Sequence, residues 1–347
     1  MKPLNISFKV ISWDVPESVY RSDPAYSYST LAKFHREGFA GLDTLFDKVS
    51  TPSLTFGSVV DSLLTGGKAE FKDRFLVADV PALSANLSSI VNTLYAKYGE
   101  KFESLAEIPD SFISEVAKDC GYYADSKWAN QRVKKVREEC SDMYEIMHKA
   151  EGKEVISSEV FEDAVACVTK LRNSKMTKNY FAESGSDNLE RLYQLKFKGT
   201  WKDYSVRCMA DLIIVDHKNK RVIPCDLKTS GHNEWDFSES FKQWGYWIQA
   251  ELYWYIIRQN MDKSSVFKDY VLEDYRFIVI NRNNRKPMVW KFENSSDSNT
   301  RKIGYTVLKS WQELLPELDG YLAERPEYPN GTKKLNSITE KLYGNTM

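Results

Sequence analysis

The sequence has no run of 18 apolar residues free of charge, so no segment is suited to cross a bilayer as a helix. Its opening, MKPLNISFKVISW, lacks the charged, apolar and small-residue layout of a secretory signal. Both absences lead us to expect a cytoplasmic protein with no membrane partner. Five cysteines (120, 140, 167, 208 and 225) are scattered and odd in number, with no C-x-x-C. That argues against a disulfide framework and against a zinc or iron–sulfur site. Neither sign of charge dominates: 48 basic residues face 49 acidic ones in 347, for a net charge of −1. A general basic footprint for nucleic acid is therefore missing, and any contact with phosphate must come from local patches. Two candidates stand out, one around Arg132, Lys134 and Lys135 and one around Arg282 and Arg285. Repeats and low-complexity stretches are also absent. What is present, 42% apolar and 13% aromatic residues, is the composition of a folded globular chain.

The most informative stretch runs from 207 to 255. An apolar run (MADLIIV), a polar turn (DHKNK) and a second apolar run (RVIPCDLKT) form a hairpin pattern. Each strand carries one carboxylate, Asp211 in the first and Asp226 in the second. Residues two apart share a strand face, so Asp226 and Lys228 point the same way while Leu227 points into the opposite layer. If the strands pair across the turn, Asp211 approaches Asp226 from its neighbour. Two acids and a lysine converging on one face suit a hard, oxygen-ligated cation with a charged group beside it. A structural ion-pair cluster would use the same three residues. From about Phe241 the pattern becomes helical and sets Gln249 and Tyr253 four apart on one helix face.

The ordered set Asp211, Asp226-Leu227-Lys228 and Gln249-x-x-x-Tyr253 resembles the PD-(D/E)xK nuclease superfamily, and its glutamine–tyrosine helix resembles the RecB-like branch. A second stretch agrees. FGSVVDSLLTGGKAEFKDRFLVAD is similar to the N-terminal motif of RecE-type (exonuclease VIII-like) phage exonucleases, a helix of the form F-G-x-x-x-H-x-x-L followed by R-F-x-V-A. Asp61 takes the histidine's place. A glycine usually precedes the first catalytic acid by a few residues, whereas here Cys208-Met209-Ala210 stand before Asp211. The resemblance implies an α/β fold with a mixed-sheet core of order α-β-β-β-α-β and added helices. It implies catalytic roles for Asp211, Asp226, Lys228, Gln249 and Tyr253. It also implies a Mg²⁺ site, with Mn²⁺ as a substitute, made of Asp211, Asp226, the Leu227 carbonyl and Asp61. An oxygen in place of the imidazole favours the harder ion. Relatives often carry an extra acid near the metal, a place Glu190 would take here.

The activity so implied is exonucleolytic cleavage from the ends of duplex DNA in phage recombination, inside an infected bacterial cell. A homo-oligomer and a single-strand annealing protein would be its partners. A single-strand or structure-specific endonuclease, or an inert DNA-end-binding protein, would keep the same fold. Along the rest of the chain we expect one nuclease domain over 1–347. Residues 81–156 read as a helical insertion or cap, with three helical runs punctuated by Pro, Gly and Asp. A strand is expected over 188–197, a strand pair over 275–292, a last helix over 304–323 and a mobile tail over 324–347. Trp244 and Trp247 are candidates either for stacking on a base or for core packing.

Overall fold

The computed structural model describes residues 6–47, 51–182, 189–233, 236–293, 301–303 and 306–324. The chain divides into two compact units. One joins Met1–Thr65 to Ala166–Met347, and the other is Gly66–Val165.

The first unit is built on a mixed sheet. Strands β1 (Leu189–Trp201), β2 (Tyr204–Asp216), β3 (Arg221–Ser230), β4 (Tyr275–Asn281) and β5 (Pro287–Phe292) lie side by side in that order. All neighbours are antiparallel except β3 and β4, which are parallel. A two-residue strand, Val271–Leu272, extends the parallel side at the start of β3. Parallel neighbours need a long crossover. Here it is helical, α3 (Phe237–Trp244) followed by α4 (Tyr246–Asp262), with α1 (Tyr28–Glu37) and α2 (Pro52–Asp61) preceding the sheet in the chain. Counting α2, the three hairpin strands, the crossover and β4 gives the expected α-β-β-β-α-β order.

Local chemistry explains most of these bounds. The β2–β3 turn closes because Asp216 accepts from Asn219 N at 3.0 Å and from its amide at 2.6 Å. The β4–β5 turn closes on Asn281, whose side-chain oxygen accepts from Asn283 N (2.8 Å) and Asn284 N (2.9 Å). Gly245 adopts φ +65°, ending α3 and starting α4 at one residue. An L side chain resists that conformation, so the expected single helix from Phe241 is broken there. α4 buries Trp247, Ile248, Leu252, Ile256 and Ile257, all 2% exposed or less, so its apolar positions form the sheet-facing stripe. The last helix, α5 (Trp311–Ala323), starts later than expected because Ser310 and Glu313 form a reciprocal capping box. The tail expected over 324–347 lies outside the described residues apart from Glu324.

The second unit has its own core. Helices Ala85–Tyr98, Asp110–Asp119 and Ala129–Ala150 pack around Leu87, Ile90, Leu94, Ile113, Val136 and Tyr144. They match the three helical runs read from the sequence. The unit extends beyond 81–156 at both ends because Phe75–Val77 pairs in parallel with Glu154–Ile156, a short ladder with no period to betray it. Among the described residues no helix is long and apolar enough to cross a membrane.

One close approach fixes α2 on the sheet. A Cβ on Gly57 would stand 3.2 Å from Thr229 Oγ1, so helix and strand meet where there is no side chain. Gly57→Leu should therefore force α2 off β3 and destabilise the protein by about 1–3 kcal/mol, the usual cost of overpacking. Urea denaturation of the full chain checks this. An unchanged midpoint would mean that the contact is loose.

Candidate active site

The site forms where β2 and β3 part. Their ladder runs from Asp216↔Arg221 to Leu212↔Cys225 and stops. Asp211 and Asp226 are the next residue on each strand. From Cys225 onward β3 pairs instead with β4, through Ser230↔Asn281. The two carboxylates stand in the resulting fork, and Leu227 N donates to Asp211 Oδ2 across it at 2.9 Å.

Asp226 is 2% exposed. Gln249, one turn into α4, donates from Nε2 to Asp226 Oδ1. Lys228 Nζ lies 2.6 Å from Oδ2. The contact is an ion pair, and among the described residues no other group donates to Oδ2. Gln249 Oε1 is buried without a donor. The lysine is enclosed by rings, with Tyr246 at 4.7 Å and Tyr28 at 5.9 Å from Nζ. Burial opposes its charge, but Asp226 first, then Tyr246, Tyr28 and Asp211, outweigh burial and hold its pKa above the ordinary lysine value. Asp211 goes the other way from a normal carboxylate. Burial, then the negative charges of Asp226 and Asp61, push it well above its usual range, against the weaker pull of Lys228 and the Leu227 N–H.

Asp61 reaches this cluster as the last residue of α2, which then widens into a single π turn over Ser62–Gly66. Such turns recur at functional sites. Arg172 Nη2 donates to the carbonyls of Leu63 (3.4 Å) and Leu64 (3.3 Å) and holds the turn open. The Asp61 carboxylate accepts from Gln194 Nε2 with both oxygens, at 3.0 and 2.9 Å, and Thr65 Oγ1 lies 3.5 Å from Oδ1. Gln194 sits within β1 with φ +52°. A non-glycine residue held there costs on the order of 1–3 kcal/mol. Its cross-strand position is Asp211, and this pair is the rung missing between Tyr193↔Leu212 and Leu195↔Ala210. Asp211 is thus unpaired on both of its strand edges.

The fold therefore brings together Asp61, Asp211, Asp226, Leu227, Lys228 and Gln249. Tyr253, one turn further along α4, is 7% exposed and packs at 6.1 Å from the Tyr275 ring. Burial first, then Tyr20, Cys208 and the two acids, raises its phenol well above normal. The contact at Leu227 is through its N–H, which donates to Asp211.

Several expectations need correcting. Arg132 does not offer its charge to solvent: it is 2% exposed and Nη1 donates to Tyr123 O at 2.9 Å. Lys134 stays exposed on the same helix with Glu138 3.8 Å away, and Lys135 lies over the Tyr123 ring at 5.6 Å. Arg282 lies over Phe56, its guanidinium carbon 4.4 Å from the ring centroid, and Arg285 is exposed in the β4–β5 turn. Glu190 is not an extra acid at the site. It binds Ser7 Oγ, Phe8 N (3.1 Å) and His217 Nε2 (3.1 Å), anchoring the N-terminal segment. Trp247 belongs to the core, while Trp244 is 42% exposed beneath Arg36.

Sequence reasoning missed Tyr28, Tyr246 and Gln194. Tyr246 had a signal, since 246, 249 and 253 share one helix face. Gln194 had none, because nothing in β1 announces a left-handed residue.

A divalent ion suits this donor set. Three carboxyl groups gather with one lysine, every candidate donor is an oxygen, and among the described residues the buried Gln249 Oε1 has no hydrogen-bond donor. Hard oxygen donors match Mg²⁺ or Mn²⁺. Among the described residues no three acidic, histidine or cysteine side chains already converge as ligands. Each carboxylate is turned instead onto a protein donor.

Residues 27–273 match the family described as a PDDEXK-like domain of unknown function (DUF3799). The chain belongs to this family. The match spans every residue of the cluster and ends before Arg282. No curated protein matches. Among solved structures, one from Eubacterium rectale described as a "Putative exonuclease" is 14% identical, with a TM-score of 0.42 over 81% of this chain and 79% of that one.

The raised Asp211 pKa gives a stability signature. The folded chain holds this proton more tightly than the unfolded chain, so metal-free protein loses stability as pH rises from the ordinary value of 3.8 through the folded one. Asp211→Asn removes that loss. In EDTA the variant should melt above wild type near about pH 8, with an advantage that shrinks towards about pH 5. A variant that melts lower at both pH values would show that the carboxylate stabilises the fold.

Proposed function

We propose that this protein is a divalent-metal-dependent deoxyribonuclease that hydrolyses phosphodiester bonds from the ends of duplex DNA, in the manner of RecE-type exonucleases. The observation that carries the reading is the fork between β2 and β3. There Asp211, Asp226 and Lys228 meet under Gln249, with Asp61 close enough to act on Asp211.

Asp211, Asp226 and Asp61, with the Leu227 carbonyl, would hold the ion. When bound, it supplies a Lewis acid for the phosphate and lowers the pKa of coordinated water. Lys228 stays protonated at neutral pH, so its part is to offset negative charge on the phosphate rather than to remove a proton. Gln249 fixes the rotamer of Asp226. Tyr28 and Tyr246 keep bulk water from the lysine, which strengthens its field in the site. Tyr253 supports the Gln249 face of α4. Arg285, exposed at the β4–β5 turn, is the cation we assign to the DNA backbone. A ring-like homo-oligomer, a single-strand annealing partner and a phage-infected cell as the setting follow from the RecE-type resemblance alone.

The test compares linear with covalently closed duplex in Mg²⁺. Acid-soluble nucleotides should appear from the linear form only; release from circles would favour the endonuclease reading. Asp226→Ala should lose more than ~10²-fold in turnover, the scale of removing a principal electrostatic element.

Lys228→Ala separates chemistry from binding. It should lose most turnover yet hold linear duplex in Ca²⁺ within about threefold of wild type, since affinity is spread over many phosphate contacts. A variant that cuts normally but no longer binds would make this lysine a phosphate clamp.

A further inference from the structure

The Asp61–Gln194 contact has an unusual form. One amide nitrogen, at 3.0 Å from Oδ1 and 2.9 Å from Oδ2, straddles the carboxylate. That is the position a cation takes when a carboxylate binds it through both oxygens. Gln194 is carried there by its backbone: the φ of +52° interrupts β1 at the rung opposite Asp211 and turns the side chain onto Asp61. A structural cap for the end of α2 would not need a left-handed residue in the middle of a strand. The helix end is already served by Thr65 Oγ1, which donates to Asp61 O at 2.9 Å, and by Arg172 on the following turn.

With the straddling position filled, Asp61 can offer a metal only one oxygen, from its outer side. Ions differ in what they make of that. Mg²⁺ requires near-octahedral geometry at short distances and is content with single-oxygen carboxylates and retained water. Ca²⁺ is larger, takes six to eight oxygens and gains from two-oxygen carboxylates. A neutral donor locked in the straddling position therefore handicaps the larger ion and costs the smaller one little.

We propose that Gln194 is a positioning residue that sets the metal preference of the site, by restricting Asp61 to one-oxygen coordination and so disfavouring Ca²⁺ relative to Mg²⁺. This rests on the reading of the cluster as a metal site given above. Gln194 touches neither the ion nor DNA; it acts through Asp61.

The experiment is calorimetric titration of the full chain, without DNA, with MgCl₂ and separately with CaCl₂. Gln194→Asn is the principal variant. Asparagine tolerates the left-handed backbone better than most residues, so β1 keeps its shape, but it is one methylene too short to straddle Asp61. Gln194→Gly keeps the backbone and removes the side chain, and serves if the first variant folds poorly. The expected result is a fall of about tenfold in the ratio of the Ca²⁺ to the Mg²⁺ dissociation constant, at the lower end of what losing a ligand-orienting partner does. In an Asp61→Ala background the same substitution should leave the ratio unchanged.

A ratio within about threefold of wild type in both variants, whatever happens to absolute affinity, would overturn the proposal, because orienting partners normally act on the tenfold scale or above. A uniform loss for both ions is that outcome, and would make Gln194 a general support for Asp61. Asp226→Ala distinguishes this failure from a deeper one. If Asp226→Ala binds both ions as wild type does, the cluster is not the metal site, and the proposal falls with the functional reading. If Asp226→Ala abolishes binding while the Gln194 ratio holds, only the proposal falls.

Discussion

Two aspartates on neighbouring strands, Asp226 buried and Asp211 half-buried, with one lysine paired to the first, set the terms for the rest of the first unit. Removing a carboxylate from water costs several kcal/mol even after relaxation. Asp211 and Asp226 incur that cost side by side, and Asp61 adds a third charge to the same field. Lys228 answers Asp226 directly but only lowers the penalty at Asp211. A fold chosen for stability alone would put apolar residues here. Retaining the acids means that the surrounding structure must hold an arrangement which works against it, as sites built for charged chemistry commonly do.

The surrounding elements each serve that constraint. β3 changes partner from β2 to β4 at Cys225, which opens the fork without losing backbone hydrogen bonds on the β4 side. The Gly245 break lets a separate helix, α4, lie across the sheet with Gln249 over Asp226 and Tyr246 over Lys228. α1 supplies Tyr28 as the second wall, and its hydroxyl donates to Trp244 O at 2.8 Å, tying α1 to the end of α3. α2 is delivered by the close pass of Gly57 over Thr229, and its terminal π turn lets Asp61 face the fork. The enclosure does two things for chemistry. It brings Asp226 against Lys228, whose charge offsets the cost of burying the lysine, and it excludes water that would otherwise screen that charge.

How much of this could be read beforehand follows from what kind of rule placed each residue. Asp226 and Lys228 share a face because strand side chains alternate, and Gln249 and Tyr253 share one because helix turns repeat at three to four residues. The approach of Asp211 to Asp226 followed from a hairpin whose turn, DHKNK, is marked by its own polar residues. The three helices of the second unit were visible for the same reason of period. By contrast, the basic run at 132–135 looked like a surface patch, but its first member faces inward and donates to a backbone carbonyl. Charge on a helix announces itself in sequence; the direction that charge faces is settled by packing.

The sequence by itself determined the parts governed by local period and turn chemistry: a hairpin with one acid on each strand, a lysine on the face of the second acid, and a helix presenting glutamine and tyrosine together. Only the tertiary structure decided which groups complete the site. Tyr28 comes from a helix some 200 residues away in the chain from Lys228, and Asp61 meets Gln194 across a separation of 133 residues. Gln194 needs a left-handed backbone that no neighbouring residue requests. The reason is physical. Side-chain alternation and helical turns act over a few residues, whereas the fork, the aromatic walls and the straddled carboxylate depend on how distant elements settle against one buried sheet.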